Sequence, residues 1–467
     1  MNLTSWLLIA TLFYAVMNLL IGFWKTRADT FESFVSYRDK AGLIFVVLSL
    51  NATFIGGGMF FATGEMGYEA GLTPIVLPIC TALGLLIVYL LSSRIRRLCR
   101  EKNALTLYDY IDVRLQQDDP WKPRFVASFA LINMSLYFFL LAGQFLVLTT
   151  FLEAFTDLPG NVALTASVAV VFVNTLVYGV VGGLKKDIWT DAFQMAMIFL
   201  GMTVIGIHLL SAQNLKALES LPPPTDPGAY GPLFIIGSLL FFTPAFLVRY
   251  DIWQRVLAAK DDRTVLRAVG ISIPIVLFSY LLFIVCGNFA RSLSAVSDDG
   301  RFAVVNTIEA LLGSRSFIIV TIALFAAVMS SADTFLNITS VSLHRLVTGV
   351  SDEKGSRRNL LQVRVLAFAI CVASALLIVL SPDVVDLMVG AFSSLVIMAP
   401  ALVYVIFANA PKARPAFFSV IFGFGIFLTL FFGVSALQKT AFTIATTCSV
   451  IILLIFRSVR KSAGAAS

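Results

Sequence analysis

Residues 316–346 read SFIIVTIALFAAVMSSADTFLNITSVSLHRL, and the acid and hydroxyls set in this apolar run decide how the whole chain is read. At about 1.5 Å of rise per residue the run is long enough, as a helix, to cross a hydrocarbon core of about 30 Å. On that helix Ala327, Ser330, Ser331 and Thr334 fall at i, i+3, i+4 and i+7, while Ser330, Asp333 and Asn337 form an adjoining ridge. One face is therefore hydrophilic in a hydrocarbon setting. Serine and threonine also pack membrane helices against one another, and that reading stays open for the serines. Asp333 argues for more, because an ionised carboxylate at mid-membrane costs about 3 kcal/mol or above unless paired or hydrated, and so marks an ion or substrate path. Hydroxyls, carbonyls and a carboxylate are hard oxygen donors that can replace the water shell of a small cation.

The rest of the chain has the same character. Of 467 residues 58% are apolar and 13% charged, with a mean hydropathy of +0.90, which describes a polytopic membrane protein, expected from the reading as a whole not to be an enzyme. The five cysteines (Cys80, Cys99, Cys286, Cys371, Cys448) are scattered through apolar runs and indicate neither a disulfide framework nor a metal centre. His208 and His344 lie near span ends. The first 24 residues lack a basic start and a small-residue cleavage site and are read as a retained helix.

Hydropathy predicts thirteen spans, at about 3–23, 42–66, 72–93, 124–152, 161–183, 189–212, 232–254, 265–290, 316–346, 361–381, 384–408, 415–436 and 441–457. With the N-terminus outside, every Lys and Arg but Lys216, Arg291, Arg301, Arg315 and Lys439, of 34 in all, falls on inner loops or the C-terminal tail. That asymmetry predicts a multi-pass protein of the cell inner membrane with a cytoplasmic C-terminus. The runs RIRRLCREK (94–102) and RSVRK (457–461) are assigned to anionic lipid, not nucleic acid. Two polar outer loops, 213–231 and 291–315, are long enough to act as lids.

Two spans are interrupted. NATFIGGGMFF places Gly56, Gly57 and Gly58 in mid-membrane, and FFTPAF places Pro244 in the seventh span. Glycine runs favour unwinding that frees backbone carbonyls. Interruptions five spans apart are what an inverted repeat of two five-helix halves produces, with a transport site between them. The expected organisation is an extra helix and loop (1–41), a first repeat (42–212), a second repeat (232–408), and two final helices with a basic tail (415–467).

With these residues in view, the chain resembles the sodium:solute symporter family over about 40–410. VYGVVGGLKKDIWTDAFQ (177–194) is similar to that family's GG followed by WTD and Gln, IWQRVLAAKD (252–261) to its QR-x-L-A-A-K, and FAAVMSSADTFLN (325–337) to its A-x-x-S-S helix. NATFIGGG and VMSSAD resemble most the branch that includes choline transporters. The resemblance implies an all-α fold of about thirteen helices with a LeuT-type five-plus-five inverted repeat, and sodium as coupling ion. It implies a main sodium site at the carbonyls of Ala52 and Ile55 with Ala327, Ser330 and Ser331, and a second site, present in some members, at Asp191, Ser330, Asp333 and Thr334. Asp333 replaces the hydroxyl usual at that second site, which leaves one or two sodium ions, or a proton, open.

The function expected is sodium-coupled import of a small organic solute by alternating access, around a midplane site between spans 2, 4, 7, 9 and 11. A choline- or betaine-type cargo needs an aromatic cage. The cage tryptophan of the choline type aligns with Arg249, one turn past Pro244, and a guanidinium there suits a carboxylate or an amino acid. A gate salt bridge from Arg249 to Asp251, Asp191 or Asp333 is the alternative. Gly56, Gly57, Phe60, Tyr137, Gln144 and Thr243 are further candidate lining residues. A transporter-like solute sensor is the less favoured reading, since only a short basic tail follows the last span. The partners expected are the solute and the bilayer.

Overall fold

Among the described residues every regular element is helical, apart from one isolated bridge between Ala41 and Ala259. The computed structural model describes residues 30–155, 160–211, 231–292, 303–312, 314–348, 357–380 and 384–464, with scattered positions between 13 and 21. Most of the expected first span, the outer loop 213–231 up to its last residue, and positions 293–302 and 313 of the second loop lie outside these residues, while Ala303–Leu311 of that second loop is helical.

The helices are α1 (Phe31–Val35), α2 (Leu43–Phe54), α3 (Gly57–Ala70), α4 (Val76–Glu101), α5 (Leu107–Arg114), α6 (Lys122–Phe155), α7 (Gly160–Leu209), α8 (Gly231–Gly237), α9 (Tyr250–Ala258), α10 (Asp262–Ser292), α11 (Ala303–Leu311), α12 (Ser314–Thr348), α13 (Arg357–Leu380), α14 (Val384–Phe407), α15 (Ala413–Gly433) and α16 (Ala441–Gly464). Ten described helices are long and apolar enough to cross a membrane, and α2 with α3, bent by 51°, makes an eleventh as one broken span. The polar-striped helix α12 is the centre. Fully 83% of its apolar window is buried inside the protein, against 33–72% for the other nine, and it packs chiefly against α7 and α6. Side chains such as Ile44, Leu240 and Leu361 face outward, as a lipid-embedded surface requires.

Both interruptions are present, each shifted slightly from the residues that foretold it. Helical hydrogen bonding in α2 stops with Ile55 N–H to the Asn51 carbonyl and restarts with Phe60 N–H to the Gly56 carbonyl. Gly57 and Gly58 are thus already helical, and the break falls at Ile55–Gly56. In the seventh span a wide π-type turn, Ser238–Phe242, leads into Pro244, after which three successive i→i+3 bonds tighten the chain. Arg249 is extended and starts α9.

Spans five and six are joined without a loop. The junction is Gly183, at φ 55° and ψ −159°, a conformation open to glycine. A Cβ there would also strike the backbone and ring of Phe34. Lys186, read above as a loop charge, therefore sits inside α7 and is 1% exposed. Arg96 and Arg255 are buried as well, so these three belong to the interior rather than to basic loops.

One end of the bundle is sealed by a latch. The peptide groups of Asp39, Lys40 and Ala41 pair with Leu257, Ala258 and Lys260 at the end of α9. Arg96 clamps them, giving 2.8 Å hydrogen bonds to Asp39, Asp262 and the Ala259 carbonyl, and one to the Val256 carbonyl.

Candidate functional site: the helix break and the central cavity

The break at Ile55–Gly56 lies against the polar face of α12. A Cβ built on Gly56 would overlap Ser331 Oγ and come within 3.9 Å of the Ala327 carbonyl. Only glycine allows that approach. Ser331 is 1% exposed and its Oγ has no protein partner among the described residues. Ala52 and Ile55 are fully buried on the other side of the break, where an ended helix leaves carbonyls outside the i→i−4 ladder. Helix-end carbonyls together with an unpartnered buried hydroxyl are a donor set that fits sodium, a hard cation that takes oxygen ligands.

One turn deeper are two buried ion pairs. Asp191 accepts from Ser49 Oγ at 2.5 Å, from Ser330 Oγ at 2.6 Å and from Arg255 Nη2 at 3.1 Å. The same Arg255 nitrogen reaches Thr334 Oγ1 at 2.6 Å. Asp333 is held separately by Lys186, Nζ to Oδ2 at 3.3 Å, with both side chains 1% exposed. Asp187 is 1% exposed too, and neither of its carboxylate oxygens has a partner among the described residues.

A cavity of about 480 Å³ opens from the break towards Glu65, Glu69 and Gln438. Glu65 and Glu69 lie in the second half of α3 and Gln438 just before α16, and none of the latch residues Asp39, Arg96 and Asp262 lines the cavity. Its wall is mostly apolar and aromatic, with Phe54, Phe242, Phe246, Phe335 and Tyr280, and its polar points near the break include Thr53, Gly56, Gln144, Arg249 and Ser331. Arg249 gives Nη2 to Asp251 Oδ2 at 2.5 Å and Nε to Oδ1 at 3.2 Å, and its guanidinium lies 4.3 Å from the Phe54 ring centre. Tyr137 OH donates to the same Asp251 at 2.5 Å.

The candidate residues thus divide. Gly56, Gln144, Arg249 and Ser331 meet at the cavity. Gly57 is packed against Val328 and Val147, Phe60 against Phe283, and Tyr137 reaches the site only through Asp251. Thr243 is not on the cavity wall, though its hydroxyl is buried without a partner. The roles of Ser49, Lys186, Asp187 and Arg255 were not foreseen. The basic pair had a signal, since LKKD and WQR place charges at the edges of apolar runs, but it was spent on topology.

A helical bundle with two broken spans beside a largely apolar cavity has the organisation of a secondary transporter. The chain belongs to the sodium:solute symporter family, which it matches over residues 38–423. Among solved structures, a Na+-coupled sialic acid symporter in a substrate-bound, outward-open state is similar at TM-score 0.78 and 17% identity, with 96% of each chain covered. Mhp1, a nucleobase-cation-symport-1 family transporter in a closed conformation with bromovinylhydantoin bound, gives 0.58 at 12% identity, over 92% of this chain and 96% of that one. A manganese transporter of Eremococcus coleocola gives 0.53 at 14%, over 89% and 94%. No curated protein sequence matches. The fold is the LeuT type, and the protein is a sodium-coupled symporter embedded in the membrane, not an enzyme.

Proposed function

We propose that the solute is a small organic carboxylate, an amino acid included, imported across the inner membrane with the latch end cytoplasmic, the N-terminus outside and the C-terminus inside. The observation that carries this reading is Arg249, placed by the Pro244 break on the wall of a largely apolar cavity. Asp251 engages its Nε and Nη2, which leaves Nη1 as the guanidinium edge without a partner among the described residues. A carboxylate completes the fork, while the aromatic wall takes the solute's carbon skeleton.

Sodium binds at the main site, to the carbonyls of Ala52, Ile55 and Ala327 and the hydroxyls of Ser330 and Ser331. A hydroxyl has one proton and two lone pairs. Ser330 can therefore donate to Asp191 and still face the ion, and the acceptor carboxylate enriches its oxygen. Bridging the break to α12, the ion holds the open cavity. Solute then draws α9 and the break together, and loss of the Arg96 latch lets both leave inward. Gly56, Gln144 and Arg249 touch the solute, Gly57, Phe60 and Thr243 shape the break around it, and Tyr137 orients Arg249 through Asp251.

A choline- or betaine-type cargo is the weaker reading, because the ring faces of Phe54 and Phe246 already lie 4.3 and 5.6 Å from the Arg249 guanidinium. Sodium-gradient-driven uptake in proteoliposomes, competed with monocarboxylates, amino acids and quaternary amines, tests the proposal. Choline outcompeting every carboxylate without a quaternary amine would refute it, and sodium-dependent binding without accumulation would make the protein a sensor.

A further inference from the structure

We propose that Lys186 is a resident cation standing in for a second sodium, so that one sodium ion is coupled to each solute. The proposal rests on the sodium-coupled reading and deepens it.

The second site implied by the family resemblance needs four oxygens, from Asp191, Ser330, Asp333 and Thr334. In this structure all four residues are engaged by the protein itself. Arg255 Nη2 holds Asp191 Oδ2 at 3.1 Å and Thr334 Oγ1 at 2.6 Å, and Ser330 gives its proton to Asp191 Oδ1 at 2.6 Å. Asp333 stands where a neutral hydroxyl is usual, and a carboxylate added there requires added positive charge. That charge is Lys186, 3.3 Å away and equally buried.

Lys186 reaches Asp333 only because Gly183 turns α7 without a loop and brings the lysine inside. An ammonium on a four-carbon stem is a point charge of the kind a sodium site accepts, but it cannot leave with the solute. A sodium ion entering beside it meets two fixed cations, Lys186 and Arg255. Asp187, buried beside Lys186 in sequence and without a partner for either oxygen, adds to the field that keeps the ammonium in place. The gradient of a second sodium is then unavailable to drive accumulation.

The test counts ions. Equilibrium binding of radioactive sodium to the purified full chain is measured for the parent, Lys186→Gln, and Lys186→Gln with Asp333→Asn, and reversal potentials in proteoliposomes give sodium per solute. One saturable site and a Hill coefficient near one are expected for the parent. Lys186→Gln leaves the Asp333 carboxylate without its ammonium and should gain a second site, with sodium bound at saturation rising from one towards two per chain. The double variant, a neutral pair of similar shape, should return to one. Two sites in the parent, or a folded Lys186→Gln that still binds one, overturns the inference while leaving sodium coupling intact. If Lys186→Gln does not fold, the double variant decides: its sodium affinity should stay within about three-fold of the parent, and loss of the single site would place Asp333 among the ligands and overturn the inference. A parent without saturable sodium binding fails the coupling reading first and this inference with it.

Discussion

Removing the Ser331 hydroxyl separates an ion ligand from a packing residue by the sign of its effects. In the sodium-free protein Ser331→Ala deletes a buried oxygen with no protein partner, so a desolvation cost of about 1–3 kcal/mol disappears and the melting temperature should be no lower than the parent's. In sodium the same change removes a ligand. An interaction with a charged group is worth about 1.5–3 kcal/mol, which is a factor of about 10 to 150 in sodium Kd. Ser330→Ala should behave differently. It strips from Asp191 one of three donors, leaving Ser49 and Arg255, and so costs about 1–3 kcal/mol even without sodium, and because Ser330 is also a ligand of the ion it weakens sodium binding as well. Thermal unfolding in detergent across a sodium titration, with choline chloride holding ionic strength, reads both quantities from one data set. A sodium-free loss of stability in Ser331→Ala, with parental sodium Kd, would refute the ligand role and reduce the residue to packing.

Other expectations are sharp enough to test. Gly56→Ala sets a methyl on Ser331 Oγ and should abolish sodium-dependent uptake while the protein still reaches the membrane, because the break can no longer approach α12; uptake above about a tenth of the parental rate would be the wrong result. Arg249→Lys keeps charge but loses the planar fork, so carboxylate affinity should fall about ten-fold, roughly 1.4 kcal/mol, and Arg249→Gln should fall further, with sodium affinity nearly unchanged in both by binding assays. Arg96→Gln removes the clamp on Asp39, Asp262 and two carbonyls. Cys80, on the cavity wall, should then react with an impermeant maleimide from the latch side of inside-out vesicles, where the parent is protected.

The central helix was legible because its message is local. Period and composition alone put Ser330, Ser331 and Asp333 on one face of a span, and the glycines and Pro244 announced both breaks, since backbone strain is a property of a few adjacent residues. The family followed from motifs of the same short range. What the sequence could not determine was which charge answers which. Asp191 and Asp333 looked like joint owners of one cation, yet each has its own base, Arg255 and Lys186, from positions 64 and 147 residues away. Arg249 was open between a ligand role and a salt bridge to Asp251, Asp191 or Asp333, and of these three acids it is Asp251 that takes its Nε and Nη2. Hydropathy assigns a charge near a span end to water, because the rule averages over a window and knows nothing of neighbours. Only tertiary packing, here Gly183 folding α7 back on itself and the Pro244 break turning α9 inward, brings those cations to within 3–4 Å of carboxylates in a medium where an unpaired charge is costly.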